Sequence, residues 1–147
     1  MRRQTVGKGI KMIEEIKKFS LAKHEGPYEN WPSKTDLFFD GKPTGKKIDG
    51  YVIEKQFKID DYYLIITSYD CPFEETNNFI LLNNNFSVEH KKWIGRPYNS
   101  FCIKDAVPIN DYKILISFIG DLKVTLHIKM KSFLSSKPRI KLNWFTT

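Results

Sequence analysis

Leu122-Lys123-Val124-Thr125-Leu126-His127-Ile128-Lys129-Met130-Lys131 alternates apolar and polar side chains without a break. A period of two is that of a pleated strand with one face on a core and the other in water. Leu122, Val124, Leu126, Ile128 and Met130 are therefore expected inside, and Lys123, Thr125, His127, Lys129 and Lys131 outside, on a basic face. Towards the N-terminus, Gly120-Asp121 separates this run from an apolar run at 112–119, and glycine at the first central position suits a type II′ hairpin turn. Asp60-Asp61 repeats the arrangement between 50–59 and 62–69. Within 51–59, Tyr51, Ile53, Phe57 and Ile59 are expected on one face, and Val52, Glu54, Gln56 and Lys58 on the other. Gaps of two residues cannot hold the crossover that parallel neighbours need, so the sheet is an antiparallel meander.

Further strands are expected at 36–40, 77–83, 86–94, 100–107 and 139–145, each rich in β-branched and aromatic residues and bounded by Gly, Asn, Asp or Pro. The fold class is mainly β, with seven to nine strands in a sandwich or an open, strongly twisted barrel forming one domain over 12–147. Residues 57–66 and 107–116 echo each other as strand, acidic turn, strand. Two copies are too few for a closed propeller, and similar hairpins resemble each other without being repeats. Ile13, Ile16 and Phe19 lie three apart and predict a short N-terminal helix within 12–23. Gly26, Pro27 and Pro32 make 24–35 a loop. Residues 1–11 are polar and basic and are expected to be a lead-in outside the fold, with Met12 an alternative start.

The 147 residues are 41% hydrophobic and 14% aromatic, enough for one well-filled core and against wholesale disorder. No apolar run approaches the roughly 20 residues of a membrane-spanning helix, and no apolar signal-peptide core follows the basic start, so a cytoplasmic protein is expected. Cys71 and Cys102 are too few for a disulfide framework or a zinc module. The net charge of +7 is unevenly placed. Residues 1–24 carry seven Lys/Arg against two Glu, residues 123–147 carry six against none, and the body between them holds 11 basic and 15 acidic side chains. A mildly acidic body thus lies between two basic ends.

No stretch assembles a catalytic constellation. Gly41-Lys42-Pro43-Thr44-Gly45-Lys46-Lys47 has three residues between its glycines and no Ser or Thr after Lys46, so it fails as a phosphate loop, and Asp40-Gly41 is a hairpin turn. In Asp70-Cys71-Pro72-Phe73-Glu74-Glu75 the carboxylates disfavour a thiolate, and the segment lacks the alternating oxygen ligands of a calcium loop. It reads as an acidic loop able to meet a basic partner. His24, His90 and His127 have no partner at metal-ligand spacing. No catalytic residue, metal or cofactor is expected. Lys91, Lys92, Trp93, Arg96 and Tyr98 mix basic and aromatic groups, a composition shared by single-stranded nucleic-acid sites, by protein hot spots and by a turn whose aromatics tuck into the core.

The stretches Asn30-Trp31-Pro32-Ser33-Lys34-Thr35-Asp36-Leu37-Phe38-Phe39-Asp40-Gly41-Lys42-Pro43-Thr44-Gly45 and Tyr62-Tyr63-Leu64-Ile65-Ile66-Thr67-Ser68-Tyr69-Asp70-Cys71-Pro72-Phe73-Glu74-Glu75 are similar to immunity proteins encoded beside polymorphic or contact-dependent-inhibition toxins of bacteria. The resemblance spans roughly residues 12–130 and is one of style, with no diagnostic motif. It implies a non-enzymatic protein that binds a cognate toxin domain and occludes its active site. The expected toxin-facing residues are Asp60, Asp61, Asp70, Glu74, Glu75, Trp93, Arg96, Tyr98, Asp105 and Asp111. The basic ends depart from the pattern of acidic nuclease inhibitors, while the acidic body agrees with it.

A rival expectation is a nucleic-acid-binding β domain that uses the outer face of 122–131 and the tail, through Lys123, Lys129, Lys131, Lys137, Arg139 and Lys141. Six cations there could neutralise phosphates. Lysines on an edge strand also block aggregation, and alternation would split Trp144 and Phe145 between faces.

Overall fold

The computed structural model describes residues 13–69, 76–95, 102–130 and 137–145. Its strands form three antiparallel sheets. The five-stranded sheet runs β1 (Ile13–Glu15), β5 (Val52–Ile59), β6 (Tyr62–Ser68), β7 (Asn77–Leu82), β8 (Val88–Ile94). A four-stranded sheet runs β12 (Arg139–Phe145), β11 (Lys123–Lys129), β10 (Lys113–Phe118), β9 (Ile103–Asn110), and a three-stranded sheet runs β2 (Phe19–Leu21), β3 (Lys34–Phe39), β4 (Lys42–Asp49). The mainly antiparallel β class is as expected, and the architecture is layered sheets with no closed barrel.

The five-stranded sheet is the middle layer. Phe57, Ile59, Leu64, Ile66, Phe79 and Leu81 pack on one side against Ile114, Ile116, Phe118, Val124, Leu126 and Ile128 of the four-stranded sheet. Ile65, Ile80 and Leu82 pack on the other side against Phe19, Leu37 and Ile48 of the three-stranded sheet. Covering both faces explains why Leu64-Ile65-Ile66 and Phe79-Ile80-Leu81-Leu82 are continuous apolar runs, since a sheet with no watery face has no reason to alternate. β11 has a single buried face, and Val124, Leu126 and Ile128 are buried as its alternation requires, while Leu122 is exposed in the turn before it.

The expected N-terminal helix is absent. Residues 13–15 and 19–21 are short strands in different layers: Ile13 pairs with Ile59 and enters one core, while Phe19 pairs with Phe39 and enters the other. Three-residue spacing would suit a helix, but a helix this short is marginal alone. Extended chain carries Ile13 and Phe19 to two cores that one helical stripe could not reach. Gln56 makes the crossing possible. Its Oε1 accepts from the N–H groups of Lys18 (2.9 Å) and Phe19 (2.8 Å), and its Nε2 donates to the Phe19 carbonyl at 3.0 Å.

A second correction concerns β5. Its pairing with β6 shifts between Ile53 and Lys55, a bulge that transfers the chain to the opposite face. Ile53 therefore packs on the three-stranded-sheet side, away from Phe57 and Ile59. β4 was not expected as a strand because Ile48 is its one buried apolar side chain. It lies on a sheet edge, where Pro43 is tolerated. Asp40 and Gly41 form the expected β3–β4 hairpin, both with positive φ (52° and 79°). Gly120 and Asp121 also both have positive φ (98° and 67°), but Ser117 pairs with Lys123 and the Phe118 N–H donates to the Leu122 carbonyl, so the β10–β11 connection is the three residues 119–121 and not the expected two-residue II′ turn.

Candidate functional site

The chain crosses from the three-stranded layer to the middle layer at Asp49-Gly50-Tyr51, and two buried hydroxyls pin that corner. Thr35 Oγ1 donates to the Gly50 carbonyl at 2.6 Å, and Thr67 Oγ1 donates to the Asp49 carbonyl at 2.6 Å. Gly50 has φ of 113°, and a Cβ there would collide with the Thr67 side chain. With its one hydrogen given to Gly50, Thr35 Oγ1 can only accept from His24 Nε2, 2.8 Å away. His24 is thereby held as the Nε2–H form.

Tyr51, fixed by this corner, is the hub of an aromatic surface that the loop before β3 completes. Its ring lies 5.1 Å from His24, 5.2 Å from Trp31, 5.6 Å from Tyr28 and 5.0 Å from Tyr69, all edge-to-face, the arrangement aromatic quadrupoles favour. A 3₁₀ turn at Tyr28–Asn30 sets Tyr28 beside Trp31. Trp31 Nε1 donates to the carbonyls of Glu25 (3.2 Å) and Gly26 (3.1 Å), and the Tyr28 hydroxyl donates to the Tyr69 carbonyl at 2.8 Å. Burial, and next the carboxylate of Asp49, push the Tyr69 phenol above its ordinary range, so it stays neutral. Beyond Tyr69, a shallow depression is lined by Asp49, Asn78, Lys91 and Trp93. Lys91 of the middle layer meets Asp49 of the three-stranded layer at 2.8 Å. Trp93 is 67% exposed and Tyr28 is 44% exposed. The result is a row of aromatic rings, with Tyr28, Trp31, Tyr51 and Tyr69 held by mutual contacts and Trp93 open to solvent, beside an inter-layer ion pair.

Among the described residues, Trp93 is the one expected toxin-facing residue on this surface. Asp60 and Asp61 form the β5–β6 turn at the other end of the middle sheet, where they line a groove with Asn83, Glu89, Tyr112 and Lys137. Asp111 borders a different groove beside β1. Asp105 is within 3.9 Å of Lys55, which also meets Glu15 at 3.3 Å. Asp70, Glu74, Glu75, Arg96, Tyr98 and Lys131 lie outside the described residues, as do Cys71 and residues 1–12. The described acidic candidates are therefore dispersed. His24, Tyr28, Trp31, Tyr51 and Tyr69 were missed by reading the sequence; their signal was the density of aromatics in a Pro-rich loop.

The expected basic strand face is assembled more tightly than the sequence implied. On β11, His127 pairs with Lys113 of β10 and Lys141 of β12, and Lys129 pairs with Arg139. Burial, then Lys129, Lys113 and Lys141, lower the His127 pKa from its ordinary 6.5. Trp144 is on the other side, with its ring 6.4 Å from Phe118, and Lys137 belongs to the Asp60-Asp61 groove.

Among the described residues no group of three or more His, Cys, Asp or Glu could hold a metal ion, and no helix is long and apolar enough to cross a membrane. Compared with family models, with curated proteins and with solved structures, the chain has no match.

Proposed function

We propose that this chain is a non-enzymatic immunity protein that binds a cognate bacterial toxin domain in the cytoplasm and occludes its active site. The observation that carries the reading is the aromatic surface of Tyr28, Trp31, Tyr51, Tyr69 and Trp93. Tyr and Trp supply large contact area and dominate the energetic centres of protein interfaces. Here Tyr28 and Trp31 are held by hydrogen bonds to backbone carbonyls, and Tyr51 and Tyr69 by edge-to-face ring contacts, before any partner arrives, so little of their side-chain freedom is lost on docking. The similarity of the 30–45 and 62–75 stretches to toxin immunity proteins supplies the partner class. The carboxylates at Asp60, Asp61, Asp105 and Asp111 lie away from the rings and offer separate local contacts to basic groups of a toxin.

The test is protection. The protein encoded next to this gene is expressed in a sensitive bacterium with and without this chain, and binding of the purified pair is measured by calorimetry. Rescue of growth is expected, and Trp31→Ala with Trp93→Ala should weaken binding at least about 30-fold, the effect of losing a hot spot of about 2 kcal/mol. A neighbouring product that is not toxic, or toxicity that this chain does not relieve, removes the proposal. Unchanged affinity in the double variant keeps the function and removes the surface.

A further inference from the structure

We propose that the outer face of the four-stranded sheet is a second binding site, which takes the phosphodiester backbone of duplex nucleic acid without reading its sequence. It lies on the opposite side of the middle layer from the aromatic surface, because the two cores are on opposite faces of that layer, and it is independent of toxin binding.

The face is a ribbon of cations in cross-strand register. Lys113 and Lys141 flank the uncharged His127 in one row across β10, β11 and β12, Lys129 and Arg139 form the next, and Lys123 closes the far end. Thr125 and Asn143 fill the row between and add hydrogen-bonding side chains. From Lys123 to Lys129 the ribbon is about 20 Å long, and three strands make it about 10 Å wide. β10, β11 and β12 contain no Asp or Glu, and none of these cations forms an ion pair among the described residues. Like charges placed directly opposite destabilise a sheet, so the unliganded protein carries a repulsion that a polyanion would relieve. A narrow strip of positive charge fits a linear array of phosphates. The register sets one Phe or Trp position on this face, Phe145 opposite Lys123 at the end of the ribbon, and none in the rows of cations, an arrangement that favours contact with the backbone over stacking of successive bases.

The test is titration of the full chain with a 20-base-pair DNA duplex at several salt concentrations. Engagement of the five Lys and Arg side chains gives a slope of about −4.5 in log K against log salt, or about a 500-fold loss of affinity between 50 and 200 mM. Lys129→Ala, Arg139→Ala and Lys141→Ala together should reduce the slope by about 2.7, with the melting temperature unchanged or raised. Neutralising Arg2, Arg3, Lys8 and Lys11 is the control for the N-terminal charges and should leave the slope as it was. No duplex binding at 50 mM salt overturns the proposal. So does a slope that the N-terminal variant abolishes and the sheet variant does not. Equal affinity for poly-glutamate would make the face a site for an acidic protein, and tighter binding to phosphatidylserine vesicles would make it a membrane site; either result replaces the nucleic acid.

Discussion

Gln56→Leu removes an amide side chain that serves as backbone for β2. The amide is buried, and it satisfies the Phe19 N–H, the Phe19 carbonyl and the partly buried Lys18 N–H at 2.8–3.0 Å. Leucine keeps roughly the same volume, so the effect isolates the lost hydrogen bonds from a cavity. Leaving a buried donor or acceptor unmade costs about 1–3 kcal/mol, and two of the three groups are fully buried, which places the loss at about 3 kcal/mol. Against a total stability on the order of 5–15 kcal/mol, that is a large fraction. At about 2–4 °C per kcal/mol for a chain near this size, the melting temperature should fall by about 6–12 °C. Denaturant unfolding gives the free energy, and hydrogen exchange locates it: the Phe19 amide should lose protection while Leu64 and Phe79 keep theirs in proportion to global stability. Gln56→Glu retains the acceptor but sets a carboxylate oxygen against the Phe19 carbonyl, so it should be no better than Leu. A loss below about 1 kcal/mol for Gln56→Leu would refute the idea that this side chain joins the layers, because the freed groups would then have found water.

His90 Nδ1 accepts the Ile140 N–H at 2.8 Å across the seam between β8 and β12, a bond that protonation at Nδ1 destroys. Burial, and then Lys92 and Arg139, hold its pKa below 6.5. The unfolded chain therefore takes up this proton first, and stability should fall as pH drops below about 6.5 and level off below the folded value; His127, shifted the same way, adds to the fall. Melting temperatures from pH 7.5 to 5 check this, and His90→Asn should flatten the dependence in part; an unaltered dependence would remove His90 from the account. Gly50→Ala puts a Cβ into Thr67 at a φ of 113° and should destabilise by on the order of 3 kcal/mol, read by urea unfolding. Ile80→Ala, in the middle layer, should cost about 2–5 kcal/mol, whereas Leu122→Ala, 47% exposed, should stay within about 0.5 kcal/mol. Comparable losses for the two would contradict the layer assignment.

Strand identity from β5 onward was legible in the amino-acid order because period two, β-branched density and two-residue turns are local properties. Each is set by the pleat and by turn sterics, whatever the rest of the chain does. β11 shows it most plainly, its buried Val124, Leu126 and Ile128 following from alternation alone. The absence of a catalytic cluster was an expectation of the same kind, drawn from spacing. Tertiary structure decided what depends on partners far along the chain. Whether Ile13, Ile16 and Phe19 form a helical stripe or a bridge between layers turns on Gln56, about 40 residues away, whose side chain completes the β2 edge. The bulge after Ile53 moves its side chain to the other core, and no alternation pattern encodes a face switch of that kind. Both candidate surfaces are likewise products of packing. Tyr51 meets Trp31 and Tyr69 because the Asp49-Gly50 corner turns the chain between layers, and Lys113 meets His127 and Lys141 because register sets them in one row. Side chains that are remote in sequence become a surface only when the sheets stack, since a single strand has no knowledge of which neighbour will lie beside it.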